Sequence, residues 1–141
     1  MFAEALVCLA LNIYHEARDQ PFIGQVAVAQ VVMNRVHDDR YPDDVCGVVM
    51  QGPTYSWKPD FPVRHRCQFS WYCDGKPDVP KNEKAWRKAQ DVAFLVLYNK
   101  INLDVTEGAT HYHATYVRPA WARTKTRTTR IEKHIFYRWE K

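Results

Sequence analysis

The sequence predicts a mostly helical α+β fold with a small β-sheet late in the chain, and three observations support this prediction. Apolar residues recur at helical spacing from Phe2 to Arg18, and a second long apolar run covers Gly24 to Val36. The same spacing returns between Asn82 and Lys100. After Gly108, the runs ATHYHATYV and RTTRIEKHIFYRW alternate and are rich in Thr, Tyr and Ile, as strands are. With 141 residues, 46% of them hydrophobic, we expect one domain that covers residues 1–141.

The first predicted helix runs from Phe2 to Arg18 and ends before Pro21, which disfavours helix at the residue that precedes it. At about 100° per residue, six of its side chains fall within about 60° of one direction. They are Phe2, Ala5, Leu9, Asn12, Ile13 and Glu16. The opposite side carries Val7, Leu11 and Tyr14. A helix that is apolar on nearly all sides is typical of a buried position, so we expect this helix to be central.

The rest of the chain divides into two further helices and a loop region before the strands. The run from Gly24 to Val36 suits a buried strand or a buried helix, and its length and the pair Gln30/Asn34 favour a helix. The stretch YPDDVCGVVMQG predicts a short helix that ends before Gly52. Residues 52–80 hold five of the eight prolines, which predicts an irregular, ordered loop region. Asn82 is a suitable N-cap for the clearest helix of the chain.

The net charge of +4 is unevenly distributed along the chain. Residues 118–141 contain eight Lys or Arg and two Glu, whereas the remainder is slightly acidic. Such a segment favours an anionic partner, namely nucleic acid, lipid headgroups or an acidic wall polymer. The alternative is the solvated face of a C-terminal hairpin.

No targeting or membrane-spanning segment is predicted. No run of about 18 apolar residues occurs, so we expect no transmembrane helix. The opening MFAEALVCLALNIYHEAR lacks a basic n-region and carries Glu4 in its place. We therefore interpret it as the first helix of the fold and not as a signal peptide.

The four cysteines allow three complete pairings, among which the sequence does not choose. Cys8 lies inside the first apolar helix, and we expect it to be a buried thiol. Cys67 and Cys73 flank QFSWY, and we expect them to pair if the protein matures in an oxidising compartment. Their C-x5-C spacing is a weak match to a zinc ribbon, because no second close pair is present.

Glu16 is the candidate catalytic residue. It shares the stripe of Leu9 and Ile13 in the last turn of the first helix, where partial desolvation would raise its pKa. A raised pKa is what a general acid that cleaves a glycosidic bond needs. The alternative is a glutamate at a helix end, salt-bridged to Arg18 or Arg35.

Aromatic residues of the loop region are typical of a sugar-binding surface, since aromatic faces stack on sugar rings. The set comprises Tyr55, Trp57, Phe61, Phe69, Trp71 and Tyr72. The alternative is a core built on aromatic residues, because the five tryptophans of this small chain can also serve packing.

The stretch IYHEARDQPFIGQVAVAQVVMNRV resembles the opening of the SleB-like cell wall hydrolases, the catalytic domains of spore-cortex lytic enzymes. Their pattern is approximately I-Y-x-E-[AS]-R-G-E, then G-Q-x-A-V-A-x-V-[VI]-x-N-R-V. The resemblance continues in order through YPDDVCGVVMQ, CQFSWYCDG, GATHYHA and RIEKHIFYRW. These motifs cover nearly the whole chain, so the chain is identified as a member of this family.

The resemblance implies a lysozyme-like domain that cuts peptidoglycan glycan strands after N-acetylmuramic acid, with Glu16 as the essential acid. Relatives act as lytic transglycosylases, in which the 6-hydroxyl of the sugar attacks and leaves a 1,6-anhydro end. One glutamate suffices, since it acts first as acid and then as base. A lysozyme-type hydrolytic muramidase is the alternative, and its second carboxylate would lie about 5–10 Å away. Asp19, Asp60 and Asp74 are the candidates near a motif, and none is compelling.

The same resemblance supplies five candidate substrate-binding residues: Gln68, Ser70, Tyr112, His111 and His113. The two residues of the QFS motif are expected to line the cleft opposite the glutamate, and the tyrosine is expected to face the reacting sugar. On an alternating strand, both histidines should point away from the tyrosine. We expect His134 to be structural. We expect neither a metal nor a cofactor.

The sequence departs from the family pattern in two places. Asp19 and Gln20 replace the usual Gly-Glu, so we expect a different turn after the first helix. The residues from Ile131 to His134 read IEKH where many relatives have IG-x-H.

We expect no separate wall-binding domain, and the basic C-terminal segment would partly replace it by attraction to anionic wall or outer-membrane polymers. A catalytic domain without leader or binding module resembles a bacteriophage endolysin, which waits in the host cytoplasm until a membrane hole admits it to the wall. A trimmed bacterial enzyme is the alternative. In either case we expect a monomer that acts on peptidoglycan at the cell wall or in the periplasm.

Two other function classes fit parts of the sequence. His111 and His113 lie at i,i+2, where one strand face can present both to zinc, and His15 or Asp104 could complete the site of a wall peptidase or amidase. No recognised zinc-ligand spacing supports that alternative. A nucleic-acid-binding module would use the basic segment for phosphates and Trp and Tyr for stacking, but it leaves Glu16 unexplained.

Overall fold

The computed structural model describes residues 2–141, except for the side chains of Phe2 and Ala3. Within that range lie four α-helices and five β-strands. The helices are α1 (Phe2–Ala17), α2 (Phe22–Val36), α3 (Val45–Val49) and α4 (Glu83–Leu97). The strands are β1 (Thr54–Tyr55), β2 (Lys58–Pro62), β3 (His111–Ala114), β4 (Thr126–Ile131) and β5 (His134–Arg138). Short 3-10 helices cover Ser70–Cys73 and Ala120–Thr124. In this described range, no helix has both the length and the apolar character needed to cross a bilayer.

Helix α2 is the central element of the fold. Its side chains Val26 and Val32 belong to the main apolar core, which α1, α3 and α4 complete. Its other side, through Ala27 and Val31, packs on Phe136 of β5. The prediction of a helix over 24–36 is thus confirmed.

The expectation that α1 is the central helix is wrong in part. Leu9 and Ile13 are fully buried against the core, but Val7 on the opposite side is 46% exposed. Leu11 on that side is part-buried and Tyr14 is 3% exposed, so α1 is open to solvent at Val7 but is covered towards its C-terminal end.

Two of the predicted helix starts have the expected caps. The Asn82 side chain accepts a hydrogen bond from the Ala85 N–H at 3.0 Å and so begins α4. Asp44 does the same for α3 by accepting from the Gly47 N–H. These capped starts confirm the predicted helices at YPDDVCGVVMQG and after Asn82.

The predicted late sheet is three-stranded and antiparallel, in the order β3-β5-β4. Tyr112 of β3 pairs with Phe136 of β5. Strands β4 and β5 form a hairpin with a register shift between Arg127 and Thr129. The basic C-terminal segment is therefore built into this sheet, and it exposes Arg127 and Arg130 on β4.

The region 52–80, predicted as irregular loop, also contains a hairpin. Strand β1 pairs with β2, and the hairpin presents Trp57 and Phe61 at 74% and 52% exposure. Sequence reasoning missed this hairpin because Pro59 and Pro62 lie within β2, and prolines argue against a strand unless it lies at an edge. The aromatic surface is also smaller than expected, because Phe69 and Trp71 are buried.

Two disulfides tie the chain, Cys8–Cys46 and Cys67–Cys73. The second agrees with the expected pair. The expectation of a buried Cys8 thiol is wrong, because α3 lies beside α1 and brings the Cα atoms of Cys8 and Cys46 to 5.3 Å. A partner 38 residues away left no signal in the local spacing.

We expect the two disulfides to contribute unequally to stability. The Cys8–Cys46 bond closes a loop of 38 residues and the Cys67–Cys73 bond one of 6. The loop-entropy estimate then gives about 4 and about 2 kcal/mol, respectively. Urea unfolding of the double serine variants of each pair measures both free energies. An equal loss in both variants would contradict this ranking.

Candidate active site

The candidate site lies where the end of α1 meets β3. Glu16 is half-buried in the last turn of α1. The Tyr112 hydroxyl, 96 positions later in the chain, donates a short hydrogen bond to Glu16 Oε1. This bond links the helical half of the fold to the sheet at the predicted catalytic residue.

A cavity of about 130 Å³ opens beside this hydrogen bond. Its walls come from α1, α2, the segment before the first 3-10 helix, β3 and the second 3-10 helix. The lining residues are Glu16, Arg35, Gln68, Phe69, His111, Tyr112 and Trp121. The cavity therefore combines one carboxyl group, one guanidinium, one amide and several aromatic rings.

Opposing effects act on the Glu16 carboxyl group. Burial is the largest and raises the pKa of Glu16 above 4.5, while the Tyr112 hydrogen bond and the Arg35 charge lower it; the net shift is upward. Burial, followed by the neighbouring carboxylate, holds the pKa of Tyr112 well above 10. Tyr112 therefore remains a protonated donor at neutral pH. Glu16 is suited to hold a proton that it can release to a neighbouring group.

Arg35 is a buried cation of the site. It is 5% exposed, and its Nε donates to the Thr110 carbonyl at 2.7 Å. Its guanidinium lies over the rings of Tyr41 and Phe69, at 5.0 and 5.2 Å from their centroids. The Nη1 atom has no hydrogen-bond partner among the described residues. Arg35 thus adds a fixed positive charge to a site whose acid is a carboxyl group.

The salt-bridge alternative for Glu16 is wrong. Neither Arg18 nor Arg35 forms an ion pair with it in the described part of the chain. The hydrogen-bond donor to Glu16 is the neutral hydroxyl of Tyr112, so no ion pair fixes the Glu16 carboxyl group in its charged form.

Polar side chains of α2 fix the loop that leads into β3. Gln30 donates to the Leu103 carbonyl at 2.9 Å and accepts from the Val105 N–H at 3.0 Å. One turn later, Asn34 donates to the Ala109 carbonyl at 2.9 Å. Because β3 begins two residues after that carbonyl, these bonds determine where Tyr112 lies.

The predicted substrate-binding residues are only partly brought together. Gln68 lines the cavity with Glu16, but Ser70 is exposed at the start of a 3-10 helix and does not line it. His113 points away, as expected from the strand alternation, and its Nε2 lies 2.8 Å from the Tyr137 hydroxyl.

The expected direction of His111 is wrong in part, because its ring lines the Glu16 cavity. The centroid of the His111 ring lies 5.0 Å from that of the Trp121 ring, which forms the adjoining wall. Burial and then the nearby cations, Arg35 first, lower the pKa of His111 to about 4. The imidazole is therefore neutral at physiological pH. His134 is buried, and its ring centroid lies 5.0 Å from that of Tyr112, in keeping with its expected structural role.

Sequence reasoning did not single out Arg35 or Trp121 as residues of the site. The charge of Arg35 inside the apolar run of α2 was an available signal, because a charge in a buried helix is rare unless it has a partner or a task. No comparable signal marked Trp121, since the segment that carries it has no periodic pattern. Phe69 was noted as a loop aromatic but not as a wall of the site.

Asp19, Asp60 and Asp74 do not line the Glu16 cavity, and Glu16 is the one carboxylate among its described lining residues. Asp19 acts electrostatically on His134, which packs against Tyr112, but its carboxylate is not part of the cavity wall.

The residues of the zinc alternative do not converge either. His15 Nε2 lies 2.8 Å from the Asp78 carbonyl, and Asp104 accepts from Asn34 at 2.9 Å. No group of three His, Cys, Asp or Glu side chains in the described range is arranged to hold a metal ion. The ligand set proposed around His111 and His113 is therefore not assembled.

Comparison with known proteins places the chain in the cell wall hydrolase family. The cell wall hydrolase family profile matches residues 19–137, so Glu16 precedes the matched range. The spore cortex-lytic enzyme of Halalkalibacterium halodurans is 31% identical over 129 residues, which is 91% of this chain and 33% of that protein. The spore cortex-lytic enzyme of Bacillus subtilis is 31% identical over 130 residues, 91% of this chain and 35% of that protein. The chain thus spans about a third of the length of these relatives.

Two solved structures share the fold. The catalytic domain of the Bacillus cereus SleB protein matches with a TM-score of 0.64 and 28% identity, over 96% of this chain and 91% of that one. The catalytic domain of the germination-specific lytic transglycosylase SleB from Bacillus anthracis matches with a TM-score of 0.62 and 27% identity. This match covers 95% of this chain and 93% of that one. The prediction of a mostly helical α+β, lysozyme-like fold is confirmed.

The Tyr112 hydrogen bond should hold the Glu16 pKa lower than burial alone would. In Tyr112→Phe the carboxylate loses this donor, so we expect its pKa to rise further. A carbon-13 NMR titration of the glutamate carboxyl signals measures the change. Tyr137→Phe is the matched control, because that hydroxyl contacts His113 instead. An unchanged or lower Glu16 pKa in Tyr112→Phe would count against the assigned contact.

The raised Glu16 pKa also has a consequence for stability. Below about pH 4 the folded and unfolded states are both mostly protonated at this residue. As the pH rises, the unfolded chain releases this proton first, and the wild-type protein loses stability until the pH exceeds the raised pKa. Glu16→Gln lacks this loss, so we expect its Tm to rise relative to wild type as the pH increases above about 4, until the pH exceeds the raised Glu16 pKa.

Thermal unfolding of both proteins across that pH range tests the prediction. Asp91→Asn on the exposed side of α4 is a control that removes the same charge away from the cavity. A Tm difference for Glu16→Gln that is constant with pH, like that of the control, would contradict it.

Proposed function

The chain belongs to the cell wall hydrolase family, and we propose that it cleaves the glycan strands of bacterial peptidoglycan after N-acetylmuramic acid as a lytic transglycosylase. The observation that carries this proposal is the single half-buried carboxyl group of Glu16, hydrogen-bonded to Tyr112 at a polar and aromatic cavity. The names of the relatives add support, since they describe cortex-lytic enzymes and a lytic transglycosylase.

Glu16 serves first as the general acid. Its raised pKa keeps part of the population protonated, and the proton passes to the glycosidic oxygen as the bond from that oxygen to C1 breaks. The Tyr112 hydrogen bond and the positive charge of Arg35 then stabilise the carboxylate that remains. The same two groups that oppose the raised pKa thus assist the release of the proton.

Glu16 serves next as the base. The 6-hydroxyl of the muramic acid loses its proton to the Glu16 carboxylate, and its oxygen bonds to C1. The product is a 1,6-anhydro end, and Glu16 regains the proton that it gave away, so that no water is consumed. This route needs one carboxylate, whereas a two-carboxylate hydrolysis needs a partner within about 10 Å. Glu16 is the one carboxylate among the described lining residues, which favours the single-acid route.

The other lining residues fit a saccharide ligand. The Gln68 amide can bond to hydroxyl and N-acetyl groups, and the Trp121 ring offers a face on which a sugar can stack. The neutral His111 imidazole supplies a further polar edge at pH 7. We assign these three residues to substrate binding.

The expected place of action is the bacterial cell wall. Exposed Arg127 and Arg130 on β4 give one face of the sheet a positive charge. Attraction to anionic wall or outer-membrane polymers would hold the domain near its substrate, and this attraction would weaken with salt.

Mass spectrometry of purified peptidoglycan after digestion tests the proposal. Wild type should release muropeptides that end in 1,6-anhydro-muramic acid. Glu16→Gln should fold normally and lose activity by about 1000-fold, since general acid–base catalysis contributes about 10²–10⁴-fold. Asp91→Asn should retain wild-type activity, because it removes an exposed carboxylate of α4.

Three outcomes would overturn parts of the proposal. Reducing ends that carry added water would identify a hydrolytic muramidase. Cleaved peptides with intact glycan would exclude glycan cleavage altogether. Full activity of Glu16→Gln would show that this residue is structural.

A further inference from the structure

A second and larger cavity, of about 660 Å³, lies on the other side of the α1 C-terminal turn. Tyr14, His15 and Arg18 of α1 form one wall, and Trp71 and the segment that follows it form another. Its volume is in the range of cavities that bind small ligands. The mechanism proposed for Glu16 uses none of these side chains.

Tyr14 gives this cavity a buried hydroxyl group, which also interacts with the Arg18 side chain. Its ring is 3% exposed. Its hydroxyl oxygen accepts hydrogen bonds from the backbone N–H groups of Lys81 and Asn82, at 3.1 and 3.0 Å. Both bonds use the oxygen as acceptor, so the phenolic hydrogen is left to donate to another group.

Charges of both signs surround that hydroxyl. Arg18, Lys76 and Lys81 line the cavity, and none of them forms an ion pair among the described residues. Asp74 and Asp78 also line it. Burial first, and to a lesser degree the Asp74 charge, raises the pKa of Asp78, so the two carboxylates are close enough to repel each other. The cations suit a carboxylate ligand, and the acidic pair suits an ammonium group.

One segment of the chain connects the two cavities. Gln68 lines the cavity at Glu16, and Trp71, three residues later, lines the larger one. Three residues span at most about 10 Å, which is also the reach of an extended tripeptide. The walls of the two cavities at Gln68 and Trp71 are therefore no further apart than the length of such a peptide.

We propose that the cavity at Tyr14, Arg18 and Lys81 binds the peptide stem of the peptidoglycan strand whose glycan lies at Glu16. The stem is a short peptide with free carboxylates, and where it ends in a diamino acid it also carries an ammonium group. Arg18 and Lys81 bind the carboxylates, Asp74 and Asp78 bind the ammonium group, and Tyr14 donates to a peptide carbonyl. This inference rests on the proposed function, since it assumes that peptidoglycan is the substrate.

A binding experiment tests the cavity without cleavage. The probe is the synthetic stem tripeptide that ends in meso-diaminopimelic acid, titrated into Glu16→Gln and followed by NMR. We expect shifts at the Trp71 indole and at Tyr14. The added double substitution Arg18→Gln/Lys81→Gln should weaken binding at least tenfold. Lys100→Gln, an exposed lysine beyond the opposite end of α4, is the matched control and should leave the affinity unchanged.

A kinetic comparison provides the second readout. Glycan strands with stems and strands stripped of them are each digested by wild type and by Arg18→Gln/Lys81→Gln. The ratio of kcat/KM on stem-bearing to stripped strands should fall about tenfold in the variant. An unchanged ratio would overturn the stem site. The stem site would also be overturned if the tripeptide did not bind, or if it bound the variant and the control equally well. If no strand is cleaved by wild type, the proposed function fails, while the tripeptide titration still decides whether the cavity binds stems.

Discussion

The hydrogen bonds between the polar side of α2 and the loop from Leu103 to Thr110 determine the rest of the site. Gln30, Asn34 and Arg35 together hold main-chain groups along this loop. Each such buried bond, if broken, leaves a polar group that costs about 1–3 kcal/mol. The loop therefore has little freedom, and β3 leaves it in one direction, towards the end of α1. The contact between Tyr112 and Glu16 is a consequence of this fixed loop conformation. The cavity beside the contact is a consequence of it as well.

Helix α2 also fixes the other partner of that contact. The buried Gln25 amide donates to the Ala17 carbonyl at 3.1 Å, at the end of the helix that carries Glu16. One central helix thus holds both the acid and the strand that faces it. Helix α4 also supports the helix that carries the acid, because it packs along α1 and the Asn82 N–H at its start donates to the Tyr14 hydroxyl. Of the two groups that oppose the raised Glu16 pKa, Arg35 lies on α2 and Tyr112 lies on the strand whose preceding loop α2 holds.

The sequence predicted the elements whose signals are local. Helical periodicity located α1, α2 and α4, and alternation located the late sheet. Asn82 was recognised as a cap because a cap needs only the next three residues. Contacts over long separations could not be derived in this way. The pairing of Cys8 with Cys46 depends on how α3 lies beside α1. The wall formed by Trp121 depends on its contact with Tyr137 of β5, whose ring centroid lies 5.3 Å away. The predicted role of Tyr112 came from the family resemblance, since nothing in the local pattern relates residues 96 positions apart.

The hairpin β1–β2 is joined to the remainder through a narrow base. The Gln68 N–H donates to the Gln51 carbonyl at 2.9 Å, and a Cβ on Gly52 would lie only 2.9 Å from the Cys67 Cα. The two ends of the excursion 53–66 are thus held together, and near its end the His65 N–H also donates to the Cys73 carbonyl at 2.8 Å, so that the exposed tip at β1–β2 takes no part in these bonds. Once the ends of a loop are fixed, doubling its length costs only about 0.6 kcal/mol. For protein engineering, the excursion is an exchangeable cassette: its exposed aromatic tip can be shortened, lengthened or replaced while Gln68 keeps its place beside Glu16.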